Sequence, residues 1–460
     1  TDASLFAQQA ALRESEERHR LLFNSAGDAI FIYDAQARLL AVNSTACQRF
    51  GYTRAALLSM TVTQVDSPEE ALRTPERIAR LMAHGALSFE TVPQRKDGSF
   101  IPTEVNAQLI ALHGQPAIMA ICRDITERRL REEQIEMGRQ HQGILAQILR
   151  IGVEGGTLDD QLQRALHQAL SAPGLMLDPR GAIFRFDETS GELVLRAQLG
   201  LSSALCQEGR RVPLGRCLCG RAAATRELQF ADGLDERHDT RFAGMRPHGH
   251  YILPILAEGQ LLGVLNTYVQ EGHLRRSQED IFLQSVAHAL GLLMRHAASK
   301  ERLVRINDSL LNFEPDPEAN IRRVTALGGE LLCGTFALYS RIENGRLGAV
   351  ERWHAPPDFQ AEGVPEGQLC YAVIQEDKRE PLLVTDLQHS PYATSDRNVA
   401  KYGLQTYLGA AVRKGGRAIG TLCVVYRQDR ALSAEDRSIL SLLANAISVE
   451  EERRAAAEAL

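Results

Sequence analysis

Long stretches of helical patterning alternate with blocks in which short apolar runs are broken by turn residues. The first stretch, about 5–22, is rich in Ala, Glu, Arg and Gln and holds no Gly or Pro. The second, about 126–151, repeats Leu130, Met137, Ile144 and Ile151 at sevens with Ile148 between them. That is a partial coiled-coil seam, interrupted at Gln134 and His141. A third covers about 279–311. The last runs from 438 into Glu450-Glu451-Glu452-Arg453-Arg454 and reads as a helix leading out of its domain. Their regular placement between apolar blocks favours connecting rods over merely solvated surface helices.

The block 23–123 predicts strands at 29–33 and 39–42 around a turn, short helices through His84, then strands at 87–94, 100–112 and 117–122. Lys96-Asp97-Gly98-Ser99 supplies hairpin chemistry, and Asp124 or Thr126 can cap the long helix that follows. The rest of the chain repeats itself weakly. Residues 259–265 match 416–422 at an offset of 157, and Ser277-Gln278-Glu279-Asp280 matches Ser433-Ala434-Glu435-Asp436 at 156. Each copy reads as turn, buried strand, loop and capped helix, so two tandem domains of about 150 residues are expected.

The first block resembles the PAS family through Asn43, Gly51-Tyr52, Lys96-Asp97-Gly98 and the segment 123–128. The resemblance implies an antiparallel sheet with helices over one face, and a relay from Asp124-Ile125-Thr126 into the exit helix. It brings no obvious ligand. Cys47 sits in Thr45-Ala46-Cys47-Gln48, not in the Asn-Cys-Arg motif of flavin-binding members, and the only haem-ligand candidate, His84, reads as a surface residue. The two later blocks resemble the GAF family. The first copy does so through 181–186, 213–224 and 259–268. The second does so through Asp386-Leu387, Pro391-Tyr392, Tyr402-Gly403-Leu404 and 416–426. That family implies a six-stranded antiparallel sheet with helices on one face and a pocket on the other. Chromophore and cyclic-nucleotide motifs are not matched.

The fold class expected is therefore α+β: three antiparallel-sheet sensory domains, one PAS and two GAF, in tandem and joined by long signalling helices. The boundaries read are a helix at 1–22, PAS at 23–125, a linker helix at 126–151, GAF domains at 152–298 and 299–449, and the start of an output helix at 450–460.

The chain has 460 residues, in keeping with three domains at roughly 100–200 residues each. It carries 52 basic and 58 acidic residues, a net charge of −6, which argues against a nucleic-acid-coating surface. Eight cysteines are too sparse for a disulfide scaffold, so a reducing, cytoplasmic setting is expected. No apolar run reaches the length of a bilayer span. The chain opens on Thr1 rather than Met and is read as a piece of a longer protein.

The densest chemistry lies in the first GAF-like block: Cys206, Cys217-Leu218-Cys219-Gly220, His238 and His248-Gly249-His250. In an extended segment i and i+2 share a face, so Cys217 with Cys219, and His248 with His250, would each present two ligands. Thiolate and imidazole suit zinc, iron, copper or an iron–sulfur cluster, though a cluster usually wants four thiolates. Two other readings stay open. Cys219, before a helix start and beside Arg216 and Arg221, is a candidate redox thiol. Alternatively, the cysteines are packing residues and the histidines bond backbone carbonyls. In the second copy Cys333, Cys370 and Cys423 stand apart in sequence, and Cys423 reads as core.

Together these features describe the sensory region of a bacterial signalling protein. It would bind a ligand, metal or redox cofactor and relay that state through a parallel homodimer to a histidine kinase, cyclic-di-GMP enzyme or response regulator. His288 and His296 lack a phosphoacceptor context, and no ATP-lid or cyclase motif is present, so no catalytic residue is assigned. Two alternatives remain. One is a thiol enzyme, since Cys206 and 215–223 resemble the free methionine sulfoxide reductases, whose further cysteine is missing near 248–250. The other is a purely structural spacer.

Overall fold

A computed structural model describes residues 2–239, 245–359 and 362–458. The leading helix is Asp2–Ser25. The first domain then builds β1 (Ala29–Tyr33), β2 (Leu39–Val42), β3 (Ala86–Thr91), β4 (Thr103–Leu112) and β5 (Gln115–Asp124) into an antiparallel sheet of order β2-β1-β5-β4-β3. Short helices pack Phe50, Leu57 and Leu81 onto Phe31, Val105 and Ile118. Asn43 explains its place in the pattern. Its buried Oδ1 accepts from Ala46 N at 2.9 Å, capping helix Ser44–Phe50, and from Ile30 N at 3.0 Å. Its Nδ2 donates to the carbonyls of Phe23 and Asp28 at 3.1 and 2.9 Å. One amide thus fixes the turn before β1 and the helix after β2. Cys47 is half-buried against this core, and His84 is exposed at a helix end.

Of the two capping candidates, Asp124 is the acceptor. Its Oδ1 receives Thr126 N at 2.9 Å and Thr126 Oγ at 2.6 Å, starting helix Thr126–Val153. Glu90 on β3 takes Arg128 and Arg129 of the first helical turn, each at 2.5 Å, so the sheet grips the helix where it departs. Asp124→Ala is expected to lower the stability of this junction by about 0.5–2 kcal/mol, read as faster amide hydrogen exchange in the first helical turn. His141 stands on the heptad seam, four residues after Met137 and three before Ile144, and that face packs on the chain itself here. It is buried, bonds Pro173 O at 2.9 Å and packs on Phe282. Leu130 and Ile135 on the same helix remain exposed.

Two six-stranded sheets follow, with the same topology. The first has β6 (Gly181–Asp187), β7 (Glu192–Leu199), β8 (Arg211–Pro213), β9 (Gln229–Ala231), β10 (Gly249–Ala257) and β11 (Gln260–Val269), in the order β8-β7-β6-β11-β10-β9. The second has β12 (Phe336–Glu343), β13 (Arg346–Trp353), β14 (Glu362–Gly363), β15 (Leu382–Val384), β16 (Thr406–Lys414) and β17 (Arg417–Tyr426), in the order β14-β13-β12-β17-β16-β15. The duplication holds at the level of register. Leu253 faces Leu265 as Ala410 faces Leu422, and each hairpin bulges at the equivalent place, after Ile255 and after Val412.

Period-two alternation gives each sheet two apolar faces. In the second copy Leu408, Ala410, Leu422 and Val424 pack under helices Pro317–Leu331 and Ala434–Glu458. Tyr407, Cys423 and Val425 pack on the other face. Helix Ser277–Leu311 closes the first copy with Leu283, Val286 and Leu290 buried.

The charged run at 450–454 is anchored to its domain at its start, and the helix runs on to Glu458. Glu450 and Glu451 are 1% and 0% exposed. Glu451 accepts from Tyr339 Oη at 2.8 Å and Arg341 Nη1 at 2.7 Å, while Glu450 accepts from Asn320 Nδ2 at 2.8 Å. Each carboxylate is tolerated in the core because it has partners there, Glu451 from β12 and Glu450 from helix Pro317–Leu331.

Candidate metal centre

In the first six-stranded domain three histidines converge. β10 carries His250, the residue before it places His248, and the β9–β10 connection carries His238. The expectation that His248 and His250 share a face holds, because the strand keeps i and i+2 on one side. Gly249 between them is required by space. A Cβ there would meet Ala231 O of β9 at 2.3 Å. His238 is set by a local turn in which Asp235 accepts from Arg237 N and Nε, both at 2.8 Å. The next residue, Asp239, accepts from Cys217 N at 2.5 Å, tying this loop to the start of helix Cys217–Thr225.

The ring centroids of His238, His248 and His250 stand 4.7–5.3 Å apart. One ligand nitrogen from each lies within 4.8 Å of the others. His250 is the best defined. Its Nδ1 is 2.9 Å from Asn266 Oδ1, an acceptor, so Nδ1 carries the proton. Nε2 then keeps its lone pair, and it is buried with no hydrogen-bond partner. Burial, and after it the neighbouring His248 and His238, hold the His250 ring down to about 3, so it is neutral across the ordinary pH range. His248 follows the same logic, with Nδ1 2.6 Å from Arg246 O. Tyr268, opposite His250 across the β10–β11 ladder, packs against both rings at 5.1 and 4.4 Å.

A buried, neutral imidazole with its second nitrogen fixed by an amide oxygen is the usual form of a metal-ligating histidine. Three imidazoles with room for a further ligand suit zinc, and imidazole also suits copper, iron or nickel. Ligands at about 2.0–2.1 Å on a tetrahedral ion stand roughly 3.4 Å apart, so closure asks only for a small inward movement. His238, half-buried on its loop, is the member placed to make it.

The cysteines do not complete this group. Cys217 and Cys219 lie in the first turn of a helix rather than on a strand, so residues two apart diverge instead of sharing a face. Among the described residues the donors gathered for a metal are imidazoles only, which does not suit an iron–sulfur cluster. Cys206 is half-buried on helix Ser203–Glu208. Cys219 is buried, and burial, then the neighbouring Cys217, push its thiol up to about 12. Desolvation therefore outweighs the helix dipole that made it a redox candidate. Asn266 and Tyr268 went unread in the sequence. A polar Asn inside the apolar run Leu261-Leu262-Gly263-Val264-Leu265-Asn266 was the available signal.

Residues 27–127 match the model of the PAS domain, 156–299 a model of the GAF domain, and 316–450 a second GAF model. The chain is a PAS domain followed by two GAF domains.

It is related to sensor histidine kinases. It is 26% identical over 166 residues to the sensor histidine kinase TmoS of Ectopseudomonas mendocina, covering 35% of this chain and 17% of that protein. It is 32% identical over 123 residues to a methyl sulfide methyltransferase-associated sensor of Methanosarcina acetivorans, covering 26% of this chain and 12% of that protein. The GAF domain of a Coxiella burnetii phosphoenolpyruvate-protein phosphotransferase is 26% identical, covers 35% of this chain and 97% of that one, and superposes with a TM-score of 0.32. The chain thus spans well under a quarter of the curated relatives it matches. None of the three matched families is a catalytic domain. No described helix is long and apolar enough to cross a membrane.

Proposed function

We propose that this PAS–GAF–GAF chain is the sensing region of a signalling protein, and that its first GAF domain reads a divalent transition-metal ion through His238, His248 and His250. The observation that carries this reading is the buried Nε2 of His250, without a hydrogen-bond partner in a ring whose centroid lies 5.2 and 4.7 Å from those of His238 and His248. Such an atom is costly unless something occupies it. Zinc or ferrous iron bound there keeps an open position, so a small ligand or oxidant can reach it. The β9–β10 loop carries one ligand and is tied to helix Cys217–Thr225 through Asp239. Filling or emptying the site would shift that loop, and the packed helices would pass the bias toward an output domain such as a histidine kinase. The transmitting form would be a parallel dimer joined through the start of helix Thr126–Val153, where the seam residue Leu130 is exposed.

The test is direct. The full chain, purified without oxygen and stripped by a chelator, is titrated with Zn2+ and with Fe2+ by calorimetry and elemental analysis. One ion per chain with micromolar or tighter affinity is the expected result. Failure of both ions to bind at 100 µM would overturn the reading.

A further inference from the structure

The second GAF domain has no histidine cluster at the equivalent place. The offset of 157 puts Tyr407 where the first domain has His250, and Cys423 where it has Asn266. Cys370, on helix Leu369–Glu376, comes over this point. Its Sγ lies 3.7 Å from Cys423 Sγ and 3.6 Å from Tyr407 Oη. Two cysteines 53 residues apart are thus side by side. Beside them is a cavity of about 40 Å³ lined by both cysteines, Tyr407, Asp396 and Asn398. Asn398 Oδ1 is buried there with no hydrogen-bond partner.

We infer that Cys370 and Cys423 form a peroxide-sensitive dithiol switch, converted to a disulfide by hydrogen peroxide admitted to this cavity. The cavity of about 40 Å³ has room for a small oxidant such as hydrogen peroxide. Asn398 Oδ1 is positioned as an acceptor for an O–H of that molecule. Cys370 is the nucleophile. The Cys423 thiol donating toward it, with the Tyr407 hydroxyl 3.6 Å away as a second donor, holds the Cys370 thiol below the ordinary range despite burial, while Cys423 is pushed well above. The Cys370 thiolate attacks one peroxide oxygen and the O–O bond breaks. The departing oxygen takes protons and leaves as water, and Cys370 becomes the sulfenic acid. Cys423 sulfur then attacks that sulfur, its proton joins the hydroxyl, and a second water leaves. In sum two thiols and one peroxide give one disulfide and two waters. The sulfurs must close from 3.7 Å to about 2.05 Å. That draws the helix Leu369–Glu376, already bonded to β17 through Thr421 Oγ and Cys370 O at 2.9 Å, further onto the strand.

The full chain is treated with hydrogen peroxide under native conditions, alkylated and digested with trypsin. The expected product is a cross-link between peptides 353–378 and 418–427, two hydrogens lighter than the reduced pair and reversed by dithiothreitol. Cys423→Ser should instead stop at a dimedone-reactive sulfenic acid on Cys370. Tyr407→Phe should slow disulfide formation about fivefold by removing one donor to the thiolate. Full alkylation of both cysteines after excess peroxide, with the chain still folded by circular dichroism, would overturn the proposal. So would a cross-link that forms only in denaturant. The wild-type readout stands even if a variant does not fold, and it does not depend on metal in the first GAF domain.

Discussion

His250→Ala should weaken zinc binding to the full chain by more than a hundredfold, the largest effect of any substitution in the first GAF domain. The argument is graded. Loss of a residue that only orients a ligand costs about 10–100-fold in metal affinity, so loss of a buried ligand itself must exceed that range. Asn266→Ala supplies the intermediate point. It removes the acceptor that fixes the proton on His250 Nδ1 but leaves all three imidazoles, so it should fall within 10–100-fold. Cys219→Ser should leave affinity unchanged, because its buried sulfur lies outside the three-histidine group. Calorimetric titration of the three variants checks the order. Equal, small effects from His250→Ala and Cys219→Ser would remove the site assignment.

Glu451→Ala should cost the second GAF domain about 3–5 kcal/mol of stability. Its carboxylate is fully buried and takes hydrogen bonds from both Tyr339 and Arg341. Removing Glu451 leaves Arg341 buried with only the exposed Glu343 as a carboxylate partner, and loss of one member of a buried pair costs more than the pair itself contributes. The expected route is a lowered denaturation midpoint with that domain's transition separating from the rest. Trp353, the single tryptophan of the chain, lies at the end of β13 in this domain and reports the transition by fluorescence. Glu451→Gln should fall between the two, since an amide oxygen can still accept from Tyr339. A loss below about 1 kcal/mol in Glu451→Ala would mean that solvent reaches the group freely.

The architecture was legible in the sequence because it depends on spacing. Strands at 29–33 and 39–42 appear where short continuous apolar runs meet turn residues, and the offset of 157 became an identity of register. All three histidines of the candidate site were named from the sequence, and two of them for the same reason. His248 and His250 are two apart on a strand, and period-two geometry brings them together. The pair Cys217 and Cys219 has the same spacing but lies in a helix, where that rule gives the wrong answer. The rest was hidden because it depends on separation in sequence. Cys370 and Cys423 come from a helix and a strand that only the folded sheet juxtaposes. The burial of Glu450 and Glu451 was hidden because charge normally signals solvent, and nothing local announces Asn320, Tyr339 and Arg341 as partners.

The identity of register between the two GAF sheets carries a consequence for how such proteins diversify. Each hairpin offers one face to the helices that hold the domain together and the other to the pocket side, and alternate residues serve the two independently. His250 and Asn266 can therefore be exchanged for Tyr407 and Cys423 without rewriting the residues between them. A duplicated domain is free to drift toward a new stimulus while its mechanical coupling is inherited intact. If the two proposed sites act, one polypeptide would read two unrelated inputs through sheets of one topology. Grafting His250 and Asn266 chemistry onto the second hairpin becomes a matter of a few alternate positions rather than a redesign of the fold.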